Sequence, residues 1–436
     1  MSRLDFLRRW RTRTVFWAGA ILVGLVAVGF AEACDWALET HAEILRRWPW
    51  SPMLLTPLGL VLVAWLTGRL SPGSRGSGIP QAIAALDVQD AERRGQLLSL
   101  RIALSKVGLT VLGLLAGASL GREGPTVHIG ASIMDALGRF ARFPYEYLRR
   151  SLVLAGSAAG LAAAFNTPIA GIVFAVEEMS RSLEERTTGT LLTAVVLAGV
   201  VSLGLLGDYT YFGSANAQLP NLKAWLAVPL CGICGGLAGG LFSRVLLDLG
   251  ARLAPVIRKQ PLRVAFLLGV VIAVLGIVSD GNSYGTGYEQ ARGLLTGESD
   301  PGVLFPLLKS LATLASYFTG IPGGFFSPSL ATGAGIGAGL APLVPQAPAA
   351  TLVVLGMASY FAGVTQSPLT AAVIVMEMVD DHAMALPMLA ATFIALLCSR
   401  LFCRTPVYRA LAANFLAPVQ APRKAESERQ EAAPRP

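Results

Sequence analysis

From residue 14 to residue 403 the chain alternates apolar stretches long enough to cross a bilayer with others that stop short. A helix needs about 20 mostly apolar residues to span the hydrocarbon. The stretches 14–33, 52–70, 102–120, 189–207, 224–247, 263–279, 304–320 and 383–403 meet that requirement. Those over 126–137, 151–164, 168–179, 328–340, 351–364 and 368–379 are too short or too interrupted, and nearly all begin at or beside Gly, Pro, Ser or Thr. Such segments predict re-entrant or broken helices, whose free ends are tolerated only against protein or a watery cavity. The expected fold is an all-α polytopic membrane protein whose broken helices line a pathway. Composition agrees: 14% of residues are charged and 53% hydrophobic, where a soluble domain carries about 25% charge. A cytosolic enzyme, a nucleic-acid binder and a disordered scaffold are all excluded. The net charge of +8 is not a nucleic-acid footprint, because the arginines lie between apolar runs instead of forming one stripe.

Arg3, Arg8, Arg9, Arg11 and Arg13 precede the first span. The positive-inside rule therefore places residues 1–13 in the cytoplasm. A single transmembrane domain is expected over 14–415, followed by a short polar tail over 416–436. Ala31-Glu32-Ala33-Cys34 loosely resembles a signal-peptide cleavage site, but the apolar run is too long and many spans follow, so no cleavage is expected. Cys231 and Cys234 form a C-x-x-C inside an apolar, Gly-rich run without partner histidines. Close helix packing by small residues is favoured there over metal or redox chemistry.

The two halves are similar at an offset of about 200 residues. Gly76-Ser77-Gly78-Ile79-Pro80-Gln81-Ala82 aligns with Gly285-Thr286-Gly287-Tyr288-Glu289-Gln290-Ala291. Gly121–Val127 aligns with Gly324–Leu330, and Gly130-Ala131 with Gly333-Ala334. Leu152-Val153, Gly156 and Ala158 match Leu352-Val353, Gly356 and Ala358, while Thr167-Pro168-Ile169 and Glu177 match Ser367-Pro368-Leu369 and Glu377. Repeat 1 covers about 50–207 and repeat 2 about 260–410. Repeated halves with interrupted helices are a transporter signature, with the binding site where the halves meet. From these residues alone the halves are either parallel or inverted.

The repeated motifs suit an anion. The first turn of a helix leaves four N–H groups unsatisfied and carries about +0.5 of an elementary charge. Glycine there lets an ion approach the amides closely. Gly76–Pro80 adds the Ser77 hydroxyl and a proline suited to a first turn; Gly121–Pro125 and Gly323–Pro328 repeat the design. Partial charges also release an ion more readily than a lysine or arginine would. Glu123 is a carboxylate inside such a motif, and an intramembrane acid is a functional candidate by default. Ionised, it would occupy the anion position as a tethered competitor; protonated, it would leave. Glu177 and Glu178 close an apolar helix and stand as candidate inward proton donors.

These motifs resemble the CLC family of chloride channels and chloride/proton antiporters, over about residues 15–415. The resemblance rests on Gly76-Ser77-Gly78-Ile79-Pro80, Gly121-Arg122-Glu123-Gly124-Pro125, Gly324-Phe325-Phe326-Ser327-Pro328 and Phe165-Asn166-Thr167-Pro168 leading into Glu177-Glu178-Met179. It implies two inverted repeats of broken and tilted helices whose ends meet at a mid-membrane anion site. It also implies a homodimer with one anion path per subunit, with contacts over 168–178, 189–207, 368–379 and 383–400. By the same resemblance, Ser77 and Tyr408 hold the central anion through their hydroxyls, together with the amides of Phe325 and Phe326. Gly78 and Ile79 belong to that chloride-binding set, and amides near Arg122 and Gly124 form an outer site. Glu123 matches the gating glutamate, Glu178 the internal proton-transfer glutamate of antiporters, and Lys106 a buried base that raises the local potential. Ser77 matches the chloride-preferring version, and Gln81 stands where many relatives carry an acid. Paired cytosolic nucleotide-binding modules do not follow the membrane region, so regulation of that kind is not expected.

The implied activity is a prokaryotic chloride/proton antiporter in the cell (inner) membrane, with a passive voltage- or pH-gated chloride channel of the same fold as the alternative. Its partners are chloride, protons, the lipid bilayer and a second copy of the chain. No cofactor, no metal and no nucleic acid is expected. An intramembrane hydrolase finds no H-E-x-x-H or G-x-S-x-G pattern, and His41, His128 and His382 lack metal-ligand spacing. A cation-coupled carrier would need acids along a core that here offers amides and hydroxyls.

Overall fold

A computed structural model describes residues 3–416 apart from 89, 142–145, 181–184, 208 and 216. The expected polar tail therefore lies outside the described residues from 417 onward. The first half runs through α1 (Arg3–Arg47), α2 (Pro52–Leu70), α3 (Ile79–Asp87), α4 (Ala91–Leu97), α5 (Leu100–Leu115), α6 (Glu123–Phe140), α7 (Glu146–Phe165), α8 (Pro168–Phe174) and α9 (Glu185–Leu206). The second comprises α10 (Ala227–Lys259), α11 (Pro261–Val278), α12 (Tyr288–Thr296), α13 (Phe305–Phe318), α14 (Phe326–Leu340), α15 (Ala349–Thr365), α16 (Pro368–Val379) and α17 (Ala385–Ser399). Residues 407–416 are helical again. A π-helical turn, Ala175–Ser180, prolongs α8. Among the described residues six helices are long and apolar enough to cross a membrane, making this a multi-pass membrane protein.

The chain breaks where its residues favour it. Proline occupies the first turn of α3, α8, α13 and α16, where its missing N–H costs nothing. Gly78 precedes α3 at φ 104°, which a side chain would resist. Several lengths differ from expectation: α13, at 14 residues, falls short of the span expected over 304–320, and α6 and α7, at 18 and 20 residues, exceed the short segments expected over 126–137 and 151–164. α1 continues past 33 to Arg47, carrying Glu32, Asp35 and Glu39, because a helix need not end where apolarity does. α5 stops at Leu115 because Gly117 turns the chain at φ 87°.

The halves are inverted copies. α6 packs along α7 as α14 packs along α15, and α1 meets α9 as α10 meets α17. In the first pair Gly130 and Gly156 cross so closely that a Cβ on either would strike the other's carbonyl; Gly333 and Gly356 repeat the crossing. The counterparts α2 and α11 pack on each other, with Pro57 against Gly269 and Leu58 and Val61 beside Leu262 and Phe266. That order is antiparallel, so one half stands upside down relative to the other. Gly121 and Gly324, aligned in the repeat, donate to each other's carbonyls at 2.7 and 2.9 Å. Such reciprocity between equivalent residues is what a two-fold axis at their midpoint produces. In the Cys231/Cys234 run, Gly235 and Gly239 press on α15 while Gly236 and Gly240 press on α17, the close packing expected of small residues.

Candidate anion site

Three helix starts converge beside this axis. Gly324, one residue ahead of the α14 cap, is so near that a Cβ there would lie 3.5 Å from both the Gly124 amide nitrogen and the Ser77 Oγ. Ser77 precedes α3, Gly124 lies in the first turn of α6, and Phe325 caps α14. Each helix therefore directs first-turn N–H groups at the same small region. Ile79, Phe325 and Phe326 are buried there. Tyr408, from the 407–416 helix, is fully buried with its ring stacked on Phe325 at 5.0 Å and 12°. Among the described residues neither the Ser77 hydroxyl nor the Tyr408 hydroxyl has a hydrogen-bond partner. Buried hydroxyls are normally paired, so these two fit donation to an anion.

Glu123 opens α6 and is fully buried. Its carboxylate accepts from the Ser327 hydroxyl and, at 3.4 Å, from the Ser327 amide. It therefore occupies the first turn of α14, in the opposite half. Arg122 does not pair with it. Its guanidinium donates to Asp35 at 2.7 Å and to the Ala31 carbonyl at 2.9 Å. Asp35, Glu32, Tyr209 and Glu289 line a cavity of about 600 Å³ together with Arg122, the residue that precedes α6.

The sequence signature of the voltage gated chloride channel family matches residues 59–400. The chain belongs to this chloride channel family, the CLC family. This family member is 30% identical over 467 residues to the H(+)/Cl(-) exchange transporter ClcA of Salmonella gallinarum, covering 98% of this chain and 95% of the relative. It superposes on a slow cyanobacterial Cl-/H+ antiporter with a TM-score of 0.82 at 27% identity, covering 93% and 98% of the two chains. A CLC-type fluoride/proton antiporter shares the fold, with a TM-score of 0.80 at 22% identity over 94% and 99%.

In this CLC chain Lys106 is fully buried, and its Nζ donates to the Gly76 carbonyl at 3.0 Å. Glu178 sits apart from the convergence, in the π-helical turn, and accepts from the Ser367 hydroxyl. α9 follows this turn and ends at Leu206 on the cavity wall, so Glu178 lies toward the opposite face. That face holds the start of α1, because Gly19 abuts Met134 and Leu137 near the far end of α6. Glu177, half-buried, caps α16 by accepting from the Leu369 and Thr370 amides. Gln81 donates to the Arg75 carbonyl at 2.6 Å. His128 meets the Leu97 carbonyl at 2.9 Å, a structural duty.

Four residues escaped the sequence reading. Ser327 lies inside the Gly324–Pro328 motif, where nothing in the sequence sets it apart from its neighbours. Asp35 and Ser367 carry no local signal, since their partners lie 87 and 189 positions away. Lys309 was detectable, because it follows Lys106 by the offset that separates Gly121 from Gly324. Its ammonium donates to the carbonyls of Ser283, Tyr284 and Gly285 at 2.8–3.1 Å.

Proposed function

We propose that this protein exchanges chloride for protons across the cell (inner) membrane, as a homodimer with a cytoplasmic N-terminus and without a cofactor. Supporting relatives bear chloride/proton exchange in their names. The observation that carries the reading is the seat of Glu123 on the first turn of α14. A carboxylate docked on helix-start donors occupies the position an anion would take. When protonated it loses most of its attraction to those dipoles and yields to chloride, which links anion passage to proton uptake. Ser77 and Tyr408 hold the central chloride with the amides of Phe325 and Phe326 and the α3 start at Gly78 and Ile79. Amides around Arg122 and Gly124 serve the outer position, and Lys106 makes the local potential more positive. Glu178, toward the face that holds the α1 start, passes protons to the cytoplasm. The second copy docks on apolar faces of α8, α9, α16 and α17, where Ile169, Val196, Leu369 and Phe393 are exposed.

Reconstitution into liposomes tests this. An imposed chloride gradient should drive protons uphill, and Glu123→Ala should abolish that pumping while anion flux persists. Chloride movement without any proton movement would make the protein a passive channel of the same fold.

A further inference from the structure

Ser367 and Thr167 hold equivalent positions as the residues capping α16 and α8, yet neither side chain caps its own helix. Serine or threonine at such a position ordinarily accepts from the second or third amide of the helix. Here a carboxylate from the other half takes that duty. Glu177 accepts from Leu369 and Thr370 at the start of α16, and Glu377 accepts from Ile169 and Ala170 at the start of α8. Both hydroxyls are thereby released from capping. In α8 the Thr167 Oγ1 is buried without a partner among the described residues. In α16 the Ser367 hydroxyl donates to Glu178, whose counterpart 200 positions on is Met378. The same device stands in both halves, and only one half gives it a carboxylate to hold.

We infer that Ser367 is a positioning residue for proton transfer, holding the Glu178 carboxylate in its working pose, and that Glu177 keeps Ser367 available by capping α16 in its place. The inference rests on Glu178 being the inward proton carrier. A hydroxyl has one hydrogen to give, and a serine engaged with its own helix would turn its lone pairs to the Leu369 and Thr370 amides. With those amides taken by Glu177, its hydrogen points to Glu178. Few charges face Glu178 from the neighbouring elements. The 407–416 helix brings Tyr408 and Arg409, and Arg409 donates to the Met179 carbonyl at 3.1 Å. α3 has only Asp87, at its last residue, and α7 has no ionisable residue beyond Arg150. α16 has only Glu377, which is engaged on α8.

The test uses the full-length protein in liposomes, with proton and chloride fluxes recorded against pH on the Glu178 side. Ser367→Ala is expected to lower the proton-to-chloride ratio at least twofold. It should also move the midpoint of proton flux by roughly one pH unit to the alkaline side, because a hydroxyl donor favours the carboxylate form. Ser367→Thr, which places the α8 residue in α16, should restore both. If Ser367→Ala does not fold, the near-isosteric Ser367→Cys, a weaker donor, should shift the profile in the same sense by less. An unchanged ratio and profile in the foldable variant would overturn the inference, as would a shift that Ser367→Thr does not reverse. Glu178→Gln separates the two levels. Retained proton pumping in that variant sinks the proton-carrier reading, whereas lost pumping beside a silent Ser367→Ala sinks only the role of Ser367.

Discussion

Glu177 and Glu377, 200 positions apart, cap each other's half: each carboxylate spans two first-turn amides of the helix that leads to the other. The distances repeat at 3.1 and 2.6 Å in both directions. Together with the Gly121–Gly324 exchange, they fasten the inverted halves along one axis. Glu377→Ala is expected to lower thermal stability in detergent by roughly 1–2 kcal/mol, the loss of a charged helix cap. Proton coupling should survive, since Met378 follows it where Glu178 follows Glu177.

Chloride affinity should depend on Ser77 and Tyr408, whose buried hydroxyls have no partner among the described residues. Ser77→Ala or Tyr408→Phe each removes one donor to an anion, an effect of about 1.5–3 kcal/mol. Isothermal titration with chloride should show binding weakened at least tenfold. Tyr408→Phe should leave stability nearly intact, because the stack on Phe325 does not use the hydroxyl.

Ser327 holds the Glu123 carboxylate at the first turn of α14, so under the proposed function Ser327→Ala should loosen a competitor of the anion. Chloride turnover is expected to rise roughly threefold or more, with fewer protons moved per chloride, since a hydrogen bond to a charged group is being removed. Paired chloride and pH electrodes on one liposome preparation would record both. A fall in turnover would mean that Ser327 serves the ion more than the glutamate.

Asp35 neutralises Arg122 at the cavity mouth. Arg122 is buried while half of the Asp35 side chain is exposed, and an amide at position 35 would still accept from the guanidinium. Asp35→Asn should therefore act through the field, raising chloride uptake at low ionic strength by roughly two- to threefold. The gain should vanish in about 1 M of an impermeant salt, where the screening length falls to about 3 Å. Flux measured across that salt series is the readout.

Much of the fold was legible because apolarity and helix-breaking residues act locally. The segments starting at Pro168, Pro328 and Pro368 could be recognised as short helices from their own residues. Gly130 and Gly156 could be matched to Gly333 and Gly356 by offset alone. The convergence of Ser77, Gly124 and Phe325 was expected from family resemblance, whereas the Glu123 partner was not. Arg122 stands beside it in sequence, yet α1 draws the guanidinium away to Asp35. The same limit applied to the buried lysines. Lys106 was named through resemblance, but nothing near Lys309 in sequence shows that three carbonyls ahead of α12 wait for its ammonium.

By itself, the order of residues determined which segments enter the membrane, where they break, and that the break points carry uncovered amides beside small or hydroxylated residues. Those properties depend on neighbours a few positions away. Tertiary structure alone decided that the second half stands inverted, and that Glu123 reaches Ser327. It also decided that Ser367, freed by Glu177, turns to Glu178. Each of these contacts joins residues about 190 to 204 positions apart. A helix start carries its positive end wherever it goes, and only the packing of α6 against α7 and α14 against α15 determines what that end faces.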